Sequence, residues 1–277
     1  MKPASFDYVR PGSVQDAVAA LAGADGEGKV IAGGQSLMPL LALRLAQPLV
    51  LVDINRVPGL DAVQPHPGGL RVGALTRHRT LAAQDQHPLL AEAARWIGHA
   101  AIRTRGTLGG SLAHADPAAE LPVVATAAGA AAIVTGPGGQ RRVPAADLFT
   151  GPLQTALADD ELIEAVEFPP LGRWGFAEFS RRHGDFGLVI VALAEVAGRL
   201  QLAVGGVAST PVRPVRAEEV LAGGPLTQSR IAAAAAAAAG EVRPAGDIHG
   251  TAGYRRQLTR VLVTRALQAS AAGPRAA

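Results

Sequence analysis

Short apolar runs alternate with one helically spaced apolar stripe over the first fifty residues of the chain. Strands are predicted at residues 6–9, 29–32 and 49–53, because each is a short run bounded by turn-forming residues. Ser13 stands before the helical stripe and Asp16 follows three residues later, which is an acidic variant of the capping box. Ser36 is predicted to cap the helix that follows the strand at 29–32. The pattern predicts a small α/β unit with the order β-α-β-α-β.

A second pattern follows, in which turn residues separate further strands and helices. Strands are predicted at residues 69–74, 131–134 and 161–168, and a turn, a strand and a turn at 137–149. The strand at 161–168 alternates apolar and polar positions like a half-buried strand. Helices are predicted at 88–97 and 117–128, the second rich in alanine. A double proline directly after the last strand marks a boundary.

The last hundred residues predict a sheet covered by helices. Strands are expected at 175–180, 187–197 and 199–207, in an antiparallel arrangement, and helices at 227–239 and 253–269. The run of consecutive alanines in the first of these helices favours a buried or closely packed helix that carries no chemistry. We divide the α+β chain into three subdomains, which are residues 1–55, 56–172 and 173–277.

The composition limits the chemistry that this chain can carry out alone. Its 277 residues contain no cysteine, which excludes disulfides, a thiolate nucleophile, cysteine-ligated zinc and an iron–sulfur cluster bound by this chain alone. The net charge is +3 and the arginines are scattered, so nucleic-acid binding is not expected. Without a bilayer-spanning apolar run or the apolar centre of a secretory signal, we expect a cytoplasmic protein with no transmembrane segment.

Two glycine-rich segments carry the candidate chemistry. The first glycine segment, residues 32–36, reads AGGQS, and the second glycine segment, residues 107–111, reads TLGGS. Backbone amides at such segments bind anionic oxygens, assisted by the positive end of a following helix. One segment alone most often only turns the chain, whereas two can face each other across a cleft and share a pyrophosphate. Neither matches the Walker motif or the G-x-G-x-x-G fingerprint.

The chain resembles the FAD-binding medium subunits of molybdenum hydroxylases in four segments. They read AGGQSLMPLLALRLA, TLGGSLAHADPAAELP, RRHGDFGLVIVAL and GTAGYRRQLTRVLVTRAL, and together they span essentially the whole chain. This family includes the medium chain of carbon-monoxide-dehydrogenase-type enzymes and is related to the FAD domain of xanthine dehydrogenase. The resemblance implies an FAD-binding fold of the PCMH (vanillyl-alcohol-oxidase-like) type in two α/β subdomains. A C-terminal subdomain with a three-stranded antiparallel sheet and helices would follow.

The resemblance also implies which residues hold FAD. The first glycine segment would wrap the pyrophosphate with main-chain amides and the Ser36 hydroxyl, and the second would contribute nearer the ribityl chain and flavin. Glu120 stands where the family has an acid, commonly Asp, that hydrogen-bonds a cofactor hydroxyl. Ile163 stands where an apolar residue lies beside the isoalloxazine. The implied FAD-binding residues are Val30, Ile31, Ala32, Gly33, Gly34, Gln35, Ser36, Leu37, Thr107, Leu108, Gly109, Gly110, Ser111, Glu120 and Ile163. No catalytic residue and no metal ligand is implied on this chain.

By the same resemblance the chain is an electron-transfer subunit. Substrate oxidation would occur at a molybdenum–pterin cofactor on a large subunit. Electrons would pass through [2Fe–2S] clusters of a small subunit to FAD here, and then to an external acceptor. The three chains would form a heterotrimer, generally as a dimer of heterotrimers. Such a complex is expected in the cytoplasm, where the complex could attach to the inner face of the membrane.

Two alternatives of different classes stay open. One is a stand-alone FAD-dependent oxidoreductase with the same FAD-binding fold, and the other is a nucleotide-binding scaffold that has lost its redox role. Neighbouring genes for a cysteine-rich small chain and a large molybdopterin chain would discriminate against both. A hydrolase built on Ser111, His114 and Asp116 finds no support, because no nucleophile elbow accompanies them. The roles of five further polar residues stay open, namely Arg103, Arg105, Arg181, Arg182 and Asp185.

Overall fold

A three-stranded parallel sheet forms the first part of the chain, within the residues 2–271 that the computed structural model describes. Its strand order is β1-β3-β2. The elements are β1 (Asp7–Val9), α1 (Val14–Ala22), β2 (Gly28–Ile31), α2 (Leu37–Ala42) and β3 (Val50–Asp53). The Oγ of Ser13 accepts a hydrogen bond from the backbone N–H of Asp16 at 3.0 Å, which confirms the predicted cap of α1. The predicted β-α-β-α-β order is also confirmed.

A five-stranded antiparallel sheet forms the middle of the chain, with the order β4-β5-β10-β6-β7. A two-stranded ribbon, β8 with β9, stands beside it. The strands are β4 (Val63–His66), β5 (Gly69–Gly73), β6 (Ala131–Gly136), β7 (Gly139–Pro144), β8 (Phe149–Gly151), β9 (Gln154–Thr155) and β10 (Leu162–Phe168). The strands predicted in this stretch are confirmed, whereas β4, β8 and β9 were not predicted.

Six helices accompany this sheet within the described residues. They are α3 (His78–Ala83), α4 (Pro88–Trp96), α5 (Ala100–Arg105), α6 (Leu108–His114), α7 (Glu120–Ala127) and α8 (Ala145–Leu148). The helix predicted at 117–128 begins only at Glu120, because the chain passes through a turn after Pro117. Every residue of α7 is buried, and five of its apolar residues belong to the largest apolar cluster of the described chain.

A three-stranded antiparallel sheet and three helices complete the described chain. The elements are β11 (Trp174–Phe179), β12 (Val189–Val196), β13 (Arg199–Gly205), α9 (Val215–Ala222), α10 (Gln228–Glu241) and α11 (Ala252–Ala271). The three strands and the last two helices confirm the prediction, and α9 is an addition. Alternate residues of β12 pack against the middle of the chain and against α9–α11, so the sheet is buried on both faces. The alanine-rich α10 packs closely between α9 and α11, as expected.

The predicted subdomain boundaries each fall in a connection between two sheets, after β3 and after β10. As domain limits they stay predictions. Among residues 2–271, no helix has both the length and the apolar character needed to cross a membrane.

Candidate functional site

The first glycine segment leaves β2 at the carboxyl-terminal edge of the parallel sheet. Gly34 adopts a left-handed backbone conformation, with φ of +73°, which favours glycine. Within the described chain, the backbone N–H groups of Gly33, Gly34, Gln35 and Ser36 donate no hydrogen bond to another residue. Consecutive backbone amides that bond nothing inside the protein can bind an external anion. Of the implied FAD-binding residues, Val30, Ile31 and Leu37 flank this segment at the end of β2 and the start of α2.

The hydroxyl of Ser36 does not cap the following helix. Ser36 has helical backbone angles, φ −97° and ψ −44°, and its side chain makes no cap hydrogen bond. The prediction that Ser36 caps α2 is therefore wrong, because a capping residue keeps an extended backbone that lets its side chain turn back on the helix. Ser36 is exposed, so its hydroxyl is available for an external partner.

The second glycine segment uses its amides differently. It is the first turn of α6 rather than a loop, and Thr107 is the N-cap, whose Oγ1 accepts the Gly110 N–H at 3.2 Å. The N–H of Leu108 donates to the Thr76 carbonyl at 3.0 Å, and that of Gly109 to the Ala74 carbonyl at 2.8 Å. The N–H of Ser111 donates to the Thr107 carbonyl at 3.0 Å. Internal acceptors therefore occupy the amides of residues 108–111.

The glycines of the two segments also pack against neighbouring chain. A Cβ on Gly33 would lie 2.2 Å from the carbonyl oxygen of Arg105, two residues before the second segment begins. A Cβ on Gly109 would lie 2.5 Å from the Cβ of Ala74. Both positions thus require glycine for close packing. The first contact also shows that the fold brings the two segments side by side.

A chain of polar side chains that the sequence analysis missed ties the two segments together. The Nδ2 of Asn55 donates to the carbonyl of Ala32 at 2.7 Å, and the Arg77 Nη2 donates to the Asn55 Oδ1 at 2.7 Å. The Arg77 Nη1 donates to the carbonyl of Arg105 at 2.5 Å. Burial, followed by the charges of the neighbouring arginines, holds the pKa of Arg77 below its ordinary value.

The sequence does carry a signal for this tie. The segment VDIN places Asp53 at the end of β3 and Asn55 two residues later, at the same sheet edge as the first glycine segment. The Oδ1 of Asp53 accepts the backbone N–H of Asn55 at 2.9 Å, and the other carboxylate oxygen accepts the Tyr8 hydroxyl. These bonds fix the Asn55 side chain towards the carbonyl of Ala32.

Glu120 and Ile163 lie deeper in the molecule. Glu120 is the first residue of α7 and is 5 % exposed. Burial, together with the nearby charge of Asp116, raises the pKa of its carboxyl group. Ile163 is on β10 opposite Val134, and its side chain belongs to the main apolar cluster. The elements that carry these two residues, α7 and β10, both pack against α6, the helix of the second glycine segment.

This arrangement fits a phosphate-containing ligand such as FAD. Among residues 2–271, the four amides of the first segment and the Ser36 hydroxyl have no hydrogen-bond partner, and Arg77 lies beside them. The buried carboxyl of Glu120 can accept hydrogen bonds from ligand hydroxyls. Within residues 2–271, no three His, Cys, Asp or Glu side chains are grouped in a way that could hold a metal ion.

Two family models together cover almost the whole chain. Residues 4–171 match the FAD binding domain in molybdopterin dehydrogenase, and residues 174–270 match the CO dehydrogenase flavoprotein C-terminal domain.

Individual relatives are similar over their full length. The chain is 44 % identical to 6-hydroxypseudooxynicotine dehydrogenase complex subunit alpha of Paenarthrobacter nicotinovorans, over 96 % of this chain and 95 % of that protein. It is 34 % identical to the carbon monoxide dehydrogenase medium chain of Hydrogenophaga pseudoflava, over 98 % of each. A chain in the structure of reconstituted CO dehydrogenase from Oligotropha carboxidovorans superposes with a TM-score of 0.95 at 32 % identity, covering 99 % of this chain and 100 % of that one.

Proposed function

The chain belongs to the FAD-binding medium subunits of molybdenum hydroxylases, and from this premise we propose that it is the electron-transfer subunit of such a complex. Its role is to hold FAD between the [2Fe–2S] clusters of a small subunit and an external electron acceptor. FAD supplies the redox chemistry when bound, and this chain contributes binding, orientation and electrostatics.

The observation that carries the proposal is the run of free amides in the first glycine segment. The amides of residues 33–36 donate no hydrogen bond to any residue that the structure describes, and Gly34 among them has a left-handed backbone. We assign these amides and the Ser36 hydroxyl to the pyrophosphate. The second glycine segment, with its amides already bonded, positions the first through the Gly33–Arg105 contact and offers the partly exposed Ser111 hydroxyl.

The remaining assignments follow from the same placement. Glu120 accepts hydrogen bonds from a cofactor hydroxyl, and Ile163 supports the flavin side of the site through the packing of α6. All fifteen residues that the resemblance implies are retained as proposed FAD-binding residues. The members of the second segment are retained because of their position beside the first segment, since their amides are already bonded inside the protein.

The proposed partners are a large subunit with the molybdenum–pterin cofactor and a small iron–sulfur subunit. A chain without cysteine cannot bind iron–sulfur clusters through thiolates, which supports their location on another subunit. We propose a heterotrimer, assembled as a dimer of heterotrimers. Cytoplasmic residence of this complex stays a prediction.

The direct test is FAD binding by the purified full-length chain. We expect a yellow protein that releases FAD on denaturation, or that takes up FAD on addition with a change in flavin absorbance and fluorescence. Co-purification from the native source is expected to bring down a cysteine-rich small chain, a large chain, molybdenum and iron. A chain that neither contains nor binds FAD would refute the proposal, and FAD binding without these partners would refute the assembly alone.

A further inference from the structure

Arg77 lies between the two glycine segments and carries a charge that no ion pair neutralises. It is the residue before α3 and is partly buried. Its hydrogen bonds go to neutral acceptors, the carbonyl of Arg105 at 2.5 Å and the Oδ1 of Asn55 at 2.7 Å. No carboxylate among residues 2–271 lies within ion-pair distance of its guanidinium. A partly buried cation that is held in place without a counter-ion calls for an explanation.

The charges near Arg77 are mainly of its own sign. Burial is the first cause that lowers the pKa of Arg77, and the like charges of Arg105 and Arg79 follow. Asp61 and Asp53 attract the guanidinium without pairing with it. A guanidinium stays protonated at neutral pH in spite of such a shift. The surroundings of Arg77 therefore favour the binding of an external anion.

Hydrogen bonds place the guanidinium beside the first glycine segment. The Arg105 carbonyl oxygen that accepts the Arg77 Nη1 lies 2.2 Å from the position of a Cβ on Gly33. These two contacts put the Nη1 within about 6 Å of the Gly33 Cα. Asn55, which accepts from the Nη2, donates in turn to the carbonyl of Ala32 at 2.7 Å. Arg77 is thus held where the run of free amides begins.

Most of the hydrogen-bonding capacity of Arg77 is still available. A guanidinium has five N–H groups. Of these, one donates to the Arg105 carbonyl and one to Asn55, and the others have no acceptor in the part of the chain that the structure describes. All five lie in one plane, and the two internal bonds fix its orientation. A fixed planar group with free N–H donors is suited to bind phosphate oxygens.

The residues so far assigned to the pyrophosphate supply dipoles but no net charge. The amides of residues 33–36 and the Ser36 hydroxyl are neutral, whereas a pyrophosphate is anionic. None of the fifteen implied FAD-binding residues is a cation, and one of them, Glu120, is an acid. A cation beside the free amides would complete the site, and Arg77 is the cation that the hydrogen bonds hold there.

We propose that Arg77 binds the pyrophosphate of FAD, with its free N–H groups donating to phosphate oxygens and its charge balancing theirs. This inference rests on the proposed function and adds a charged contact that the motif residues lack. Arg77 then has two roles, since its internal bonds join the two glycine segments and its remaining donors bind the ligand. The experiment has to separate these roles.

The first readout is the FAD affinity of the full-length chain, measured by flavin fluorescence at several concentrations of sodium chloride. Arg77→Gln should lower the affinity about thirtyfold, because charge-assisted hydrogen bonding to phosphate is lost. Salt screens charge–charge contacts, so the wild-type affinity should fall more steeply with salt than that of Arg77→Gln. Arg199→Gln removes an exposed arginine at the start of β13 and should keep both the wild-type affinity and the wild-type slope.

The second readout separates the charge from the internal bonds. Arg77→Lys keeps the charge but lacks the planar fork that bonds both Asn55 and the Arg105 carbonyl. The melting temperatures of the FAD-free Arg77→Lys and Arg77→Gln chains should therefore fall by similar amounts. Arg77→Lys should nevertheless bind FAD about tenfold more tightly than Arg77→Gln, with a salt slope close to that of the wild type. Arg77→Met, which is also neutral, provides the same comparison if Arg77→Gln does not fold.

The outcomes separate this inference from the proposed function. If the neutral and the lysine variants bind FAD equally well and share the wild-type salt slope, Arg77 acts only through its internal bonds and the pyrophosphate contact is overturned. Wild-type affinity in Arg77→Gln would overturn it as well. The FAD site would stand in both cases, because the wild-type chain binds FAD. Absence of FAD binding by the wild-type chain would instead refute the proposed function, and this inference with it.

Discussion

The two glycine segments look alike in sequence and behave differently in the fold. Both contain two adjacent glycines followed closely by serine, and both stand at the start of a helix. In the first, the amides of residues 33–36 have no acceptor in the described part of the chain, whereas in the second the amides of residues 108–111 all have one. We propose that the first segment receives the ligand, whereas the second holds α6 against β5. A glycine pair alone therefore does not identify a ligand site. The deciding observation is whether its backbone amides already have acceptors inside the protein.

The largest effect is expected at the packing contact of the second segment. In Gly109→Val, the new side chain would collide with Ala74, whose Cβ lies 2.5 Å from the position of the added Cβ. We expect the free energy of unfolding of the FAD-free chain to fall by about 3 kcal/mol, measured by urea denaturation. Gly12→Val is the matched control, because a Cβ added at Gly12 would meet no atom of residues 2–271 within 4 Å apart from its chain neighbours. Equal stability of the two variants would mean that the second segment does not hold α6 by close packing.

The next effect tests the tie between the segments. Asn55→Ala removes the hydrogen bonds to the Ala32 carbonyl and to Arg77, both at 2.7 Å, and we expect a loss of about 2 kcal/mol in unfolding free energy. FAD affinity should fall as well, because the first segment loses its support. Gln86→Ala removes an exposed amide that makes no side-chain hydrogen bond within residues 2–271 and should change neither quantity. Unaltered FAD affinity in Asn55→Ala would show that the tie does not shape the site.

A third prediction separates backbone strain from ligand binding. Gly34→Ala places a side chain at φ +73°, and Gly198→Ala, in the β12–β13 hairpin, does so at +76°. Each should destabilise the FAD-free chain by about 1–2 kcal/mol, because left-handed backbone is costly for residues with a Cβ. Only Gly34→Ala should also weaken FAD binding, measured by fluorescence titration. If both variants bind FAD like the wild type, the curvature at Gly34 is not part of the site.

Local patterns predicted much of this fold because the decisive interactions are local. The cap at Ser13 joins residues three apart, and the strands of the C-terminal sheet follow one another along the chain. The extra short helices α3 and α5 escaped prediction because tertiary packing, more than propensity, stabilises helices of about six residues.

The site was predictable only in part, for the same physical reason. The glycines and Ser36 could be found as a motif, but the motif does not show that the two segments use their amides differently. The carbonyls of Ala74 and Thr76, more than thirty residues away in sequence, accept the amides of the second segment. The carbonyl of Arg105, still more distant in sequence from the first segment, packs against Gly33. Asn55 and Arg77 escaped notice because their roles arise from a sheet edge and a bond to a distant carbonyl.

The smallest expected change in stability comes from removing one hydroxyl from each glycine segment, and these two variants compare the segments most directly. Thr107→Ala removes the N-cap of α6, so the FAD-free chain should lose about 1 kcal/mol of stability. Ser36→Ala removes a hydroxyl that makes no cap hydrogen bond, so stability should stay within about 0.5 kcal/mol of the wild type.

FAD affinity should fall about tenfold in Ser36→Ala, because one hydrogen bond to a charged group of the cofactor is lost. Thr107→Ser, which keeps the cap oxygen, should restore the stability lost in Thr107→Ala. If one segment receives the ligand and the other packs the helix, Ser36→Ala should lose FAD affinity and Thr107→Ala should lose folding stability. Equal losses of folding stability in the two variants would contradict this distinction.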